Sequence, residues 1–102
     1  MDELSMRAEA SKKDINERNN LIEQYRNFAV SAAKKVLKRH IDFQNDEEYS
    51  IAIMSFNEAI DHFDPSKGRF LAFADQVIRK RIIDYIRKNS KNNELIVVYD
   101  YE

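Results

Sequence analysis

The sequence predicts an all-α domain: a compact bundle of three main helices, the first of which can break in two. Three observations point there. The 102 residues hold one glycine, Gly68, and one proline, Pro65, whereas sheets joined by tight turns use more of both. Apolar residues recur at three-and-four spacing through most of the chain. The two backbone breakers stand together in DPSKG, residues 64–68, and mark one sharp turn between helical stretches.

Each element follows in order. Residues 1–13 are polar and lack apolar periodicity, so they read as a mobile lead-in. The domain itself spans residues 14–90, and residues 91–102 form a linker or tail. In the first helix Ile15, Leu21, Ile22, Tyr25, Phe28, Ala29, Ala32, Ala33, Val36 and Leu37 share a buried face. Asp14 suits its N-cap, with Glu17 in the capping-box position. Lys34, Lys35, Lys38 and Arg39 end it where the macrodipole favours cations. Residues 40–45 connect. Asn45 is placed to cap the second helix, with Asp46, Glu47 and Glu48 in its first turn. Tyr49, Ala52, Ile53, Phe56, Ala59, Ile60 and Phe63 form the next stripe. Pro65 disfavours helical backbone at Asp64, so this helix stops near Phe63. The third helix starts near Phe70, with Phe70, Phe73, Ala74, Val77, Ile78 and Tyr85 as its core face. At about 100° per residue, Gln76, Arg79, Lys80, Ile83 and Arg87 fall opposite, with Ile82 and Ile86 on a flank. The end, ELIVVYDY, has strand propensity but no partner strand in a helical domain.

Composition narrows the function classes. With no cysteine, disulfides and thiolate metal sites are excluded, and an intracellular, cytoplasmic setting is compatible. No apolar run approaches the roughly 20 residues of a membrane span. A single glycine rules out a glycine-rich phosphate loop. His40 and His62 lie far apart with no nucleophile and acid grouped around them. Asp46, Glu47 and Glu48 are explained by the helix start. These features argue against an enzyme, a cofactor and a small-molecule substrate.

Two surfaces exceed what a bundle needs. Ile51 and Met54 fall off the buried face of the second helix. Glu47, Ser50, Asn57 and Glu58 rim them, which is the usual look of a protein-docking spot unless the first helix covers it. The other surface is basic. From Asp42 to Asp64 the chain carries seven acids and no Lys or Arg; from Lys67 to Lys91 it carries eight bases against two acids. Arg69, Phe70 and Phe73 gather at the third helix start, and Gln76, Arg79, Lys80, Ile83 and Arg87 continue along it. Rings beside a basic track suit single-stranded nucleic acid, and a row of cations also suits a duplex groove.

The stretches LIEQYRNFAVSAAKKVL and AIMSFNEAIDHFDPSKGRFLAFADQVIRKRIIDYIRK resemble region 2 of the bacterial RNA polymerase sigma factors. IDYIRK looks like the extracytoplasmic-function branch, and YSIAIMSFNEAID looks most like the sigma-I group. The resemblance covers roughly residues 15–90. It implies the N-terminal domain of an alternative sigma factor. Glu47, Ser50, Ile51, Met54 and Asn57 would then dock on the clamp-helix coiled coil of the largest subunit of core RNA polymerase. Arg69, Phe70, Phe73, Gln76, Arg79, Lys80, Ile83 and Arg87 would recognise the promoter −10 element and hold its melted non-template strand. A membrane-anchored anti-sigma partner is implied as well.

The chain departs from the family at several of these places. The tryptophan pair of housekeeping members reads Gln76 and Val77. The turn is one residue shorter, Lys80 replaces a glutamine, and Ser50-Ile51 replaces a Gln-Glu pair. These changes imply a distinct −10 sequence and a more apolar polymerase contact. The competing reading is a helical protein-interaction module, of anti-sigma or adaptor type, that uses the same surfaces without DNA.

Overall fold

A computed structural model describes residues 2–37 and 47–89. They form five α-helices and a short 3-10 turn: α1 (Glu3–Ser11), α2 (Ile15–Gln24), α3 (Arg26–Leu37), α4 (Glu47–His62), the turn Pro65–Lys67 and α5 (Phe70–Asn89). The Asn45 cap, the 40–45 connection and the ELIVVYDY tail lie outside these residues. Among the described residues no helix is long and apolar enough to cross a membrane.

The described residues are all-α, and among them the three main helices become five. The first predicted helix does break, at Tyr25, whose φ of −107° and ψ of 21° leave the helical region. The break lets α2 and α3 present Tyr25 and Phe28 to one ring: Tyr25 stacks on Phe56 at 6.2 Å and Phe28 meets it edge-on at 6.4 Å. The other added helix is α1. The described part of the lead-in is helical and packed, against the expectation of a mobile segment. Asp2 caps it through Ser5 N–H, and Ser5, Ala8 and Ser11 are buried. These residues are small, so α1 lies close to its neighbours with little apolar content. The Ser11 hydroxyl returns to the Arg7 carbonyl at 2.9 Å, which satisfies it without water.

α1 and α2 form a hairpin. Asp14 caps α2 as expected, accepting from Asn16 and Glu17 N–H at 3.1 and 3.2 Å. The Glu17 carboxylate, placed by the sequence in a capping box, instead accepts from Arg7 Nε at 3.0 Å and ties the hairpin together. α3, α4 and α5 pack on one another as the main layer, and α1 lies across the start of α5.

The core centres on Phe56 and Phe70, both fully buried and in edge contact at 5.4 Å, with Phe63 edge-on to Phe70 at 5.3 Å. Burying each such ring stabilises the fold by about 1.5–3 kcal/mol. Along α5 the buried line is Phe70, Ala74, Ile78, Ile82 and Ile86, joined by Ile83. This i+4 line turns about 40° per step around the helix. The expected face, which kept Phe73 and Val77 in its centre, is therefore displaced: Ile82 and Ile83 are core, and Phe73 and Val77 are half-buried. Successive parts of α5 bury different sides because the helix meets α1, α3 and α4.

Candidate functional site

α4 ends at His62, and the chain reverses through the 3-10 turn before α5. Asp64 builds the turn: its Oδ1 accepts from Ser66 N at 3.0 Å and from Ser66 Oγ at 2.7 Å. These bonds hold its carboxyl below the usual carboxylate range. Gly68 then takes φ 139° and ψ −164°, a backbone region almost reserved for glycine.

This turn and the flank of α5 enclose a trough. A hollow of about 240 Å³ beside the turn includes Phe63, Lys67, Gly68, Arg69 and Ala72 in its wall. It shares His62, Phe73 and Gln76 with a second hollow of about 480 Å³ between α4 and α5, also lined by Glu58, Val77, Lys80 and Arg81. The trough thus has an aromatic floor at Phe73, an amide at Gln76, and cations at Lys67, Arg69 and Lys80. Rings, amides and ammonium groups can stack on a base, read its edge and meet its phosphates.

The expected nucleic-acid residues divide. Arg69, Phe73, Gln76 and Lys80 come together in the trough. Phe70 and Ile83 lie in the core, 0% and 4% exposed, and not in the trough wall. Arg79 is half-buried and paired to Asp75, with Nε 3.2 Å from Oδ2, an i,i+4 match along α5. Arg87 is exposed farther along the helix. Val77, placed by periodicity in the core and by the resemblance at the tryptophan pair, lines the trough, as does His62, which nothing in the local pattern singles out. Lys67 was visible as turn charge only.

A third hollow, about 600 Å³, also lies against α4 and α5, beyond Glu58 and Arg81, and includes Ile51, Met54, Asn57, Asp61, Asp84 and Tyr85 in its wall. Met54 is 68% exposed, a large apolar side chain held in water. Ile51 is half-buried against the core, so α4 itself explains part of it. Ser50 and Glu47 are exposed, and Glu47 Oε1 accepts from the Tyr85 hydroxyl at 3.1 Å. Asn57 is oriented by Arg18 of α2, which donates to its Oδ1 at 2.9 Å. Arg18 also donates to the Lys12 carbonyl at 3.1 Å and to Asp61 Oδ1 at 2.6 Å. The hydrogen bond from Arg18 holds the Asp61 carboxyl below its usual range. Spacing alone does not reveal Arg18, because its partners lie 39 and 43 residues away.

A family model described as Sigma-70 region 2 matches residues 21–92. The chain belongs to the sigma-70 region 2 family. Similar proteins include RNA polymerase sigma factor SigI7 of Acetivibrio thermocellus, 41% identical over 93 residues, covering 91% of this chain and 40% of the relative. The SigI factor of Bacillus subtilis is 44% identical over 85 residues, covering 82% and 33%. The SigI factor of Bacillus anthracis is 46% identical over 80 residues, covering 78% and 33%. The likeness to the sigma-I group read from YSIAIMSFNEAID holds. This chain spans about a third to two fifths of the length of these relatives.

In this sigma-70 region 2 domain the two departures Gln76 and Val77 both line the trough. They line it with an amide and a small aliphatic side chain. Of the Ser50-Ile51 pair, Ile51 lines the Met54 hollow while packing partly on the core, and Ser50 is exposed beside it.

Proposed function

We propose that this domain serves an alternative sigma factor in transcription initiation: it docks on core RNA polymerase through α4 and takes the opened non-template strand of a −10 element into the trough. The observation that carries this reading is the joining of Phe73, Gln76, Lys80 and Arg69 in one trough beside the Gly68 turn. A base leaving the stack would lie against the Phe73 ring, with its edge toward the Gln76 amide. Lys67, Arg69 and Lys80 would meet the flanking phosphates. The energy of melting would come from binding, with no bond made or broken.

Docking would use the Met54 face, where Met54 and Ile51 form an apolar centre and Asn57 and Glu47 a polar rim. The relatives are named as RNA polymerase sigma factors, which favours polymerase as the occupant. The test is comigration of the domain with purified core RNA polymerase, using Met54→Asp as the control. Met54 is the better control than Ile51, because Ile51 also packs on the core. Binding that disappears in the control supports the reading. No binding to core by the parent domain would shift weight to an interaction module with a different protein partner.

A further inference from the structure

α5 begins without a capping side chain of its own. Arg69 precedes its first residue, and a guanidinium has no acceptor for the free N–H groups of the first turn. The acceptor comes from α1. Ser5 Oγ takes the Phe70 N–H at 3.0 Å and donates its own proton to Asp2 Oδ1 at 2.6 Å. Ser5 and Phe70 are both 0% exposed, so this bond is shielded from solvent. At the other end of the turn, Lys12 Nζ donates to the Phe63 carbonyl at 2.7 Å. α1 and the residue that caps its end thus grip the backbone on both sides of the segment that carries Lys67, Gly68 and Arg69. That helix lies outside residues 21–92, the part that matches the family model.

We infer that α1 positions the strand-reading turn: Ser5 and Lys12, acting through the backbone of Phe70 and Phe63, set the base selectivity of the trough. The inference rests on the trough being a strand site. Selectivity and affinity should respond differently. Lys67, Arg69 and Lys80 are long and flexible, so they follow a phosphate through a small backbone displacement. A base edge read by Gln76 over the Phe73 ring tolerates little displacement.

The test uses the chain with a single-stranded DNA pool carrying a randomised window, sequenced before and after one round of capture. Ser5→Ala, Lys12→Met and Lys12→Arg are compared with the parent. Affinity for the unselected pool and amide exchange across residues 63–73 are measured alongside. Ser5→Ala and Lys12→Met should each lower the enrichment of the preferred sequence about tenfold. Binding of the unselected pool should stay within about twofold. Exchange should quicken at residues 67–71, and Lys12→Arg should behave as the parent. If Ser5→Ala does not fold, Lys12→Met carries the test, because Lys12 follows the last residue of α1 and is half-buried rather than in the core. Quickened exchange with unchanged enrichment overturns the inference alone. Unchanged exchange in both variants shows that α1 does not hold the turn. A parent chain without salt-dependent pool binding overturns the strand reading and the inference together.

Discussion

Arg81 of α5 grips Glu58 of α4 with a two-pronged ion pair, Nε on one carboxylate oxygen and Nη2 on the other. The pair pulls the Glu58 carboxyl below its ordinary range and raises Arg81. Both side chains are partly exposed, so the contribution to stability is small. Glu58→Gln should cost at most about 1 kcal/mol in a denaturant titration, with the difference shrinking at high salt. Because Arg81 is occupied by Glu58, Arg81→Gln should leave the salt slope of strand binding nearly unchanged.

Acid should destabilise the domain through four carboxylates. Asp2, Glu58, Asp61 and Asp64 are all lowered, chiefly by hydrogen bonds from Ser5, Arg81, Arg18 and Ser66. A lowered group binds fewer protons folded than unfolded. Its stabilisation is therefore complete above the unfolded value and disappears as pH falls through the folded one. Urea midpoints should be level near neutral pH and decline below about pH 4.5. Asp61→Asn should flatten part of that decline.

Phe70 and Phe73 stand three residues apart but should fail in different ways. Phe70→Ala empties the centre of the core and should cost about 3–5 kcal/mol. Any loss of strand binding there should track unfolding. Phe73 is half-buried in the trough wall, 6.2 Å from Phe63 and tilted to it. Phe73→Ala should weaken strand binding by about 1–3 kcal/mol. Its denaturation midpoint should move less than that of Phe70→Ala.

Lys80 and Arg79 are neighbours with unequal freedom. Lys80 is exposed in the trough, whereas Arg79 is drawn back onto Asp75. Lys80→Ala should weaken binding uniformly across sequences and lower the slope of log affinity against log salt by about one. Arg79→Ala should change that slope less. Equal slopes for the two variants would show that Asp75 releases Arg79 to a phosphate.

Gly68 is a test of the turn alone. A Cβ there would meet no atom within 4 Å, so only its backbone opposes substitution. Gly68→Ala should cost about 1–3 kcal/mol of strain. A thermal melt and the exchange rates of residues 63–73 would check this.

What was legible in the sequence follows from how burial is achieved. α4 and the start of α5 bury large side chains at regular spacing, and DPSKG is unmistakable turn chemistry, so their places were readable. α1 was missed because it buries Ser5, Ala8 and Ser11, whose small size carries no hydropathy signal. Ile15 misled in the other direction, at 64% exposed. The rotation of the α5 stripe depends on three neighbouring helices, which single-helix periodicity does not contain. It moved Ile83 into the core and Val77 into the trough. Arg18, Ser5 and Lys12 act across long sequence distances, so only the folded chain shows their contacts.

The Glu58–Arg81 pair lines the α4–α5 end of the trough and also the Met54 hollow. It is a shared wall, and a change to it alters two rooms at once. On the proposed function, positions 58 and 81 can therefore drift only along paths that both a strand and a docked protein tolerate. A strand preference could be retuned at Gln76 or Val77, which line the trough and not the Met54 hollow, without disturbing the other face.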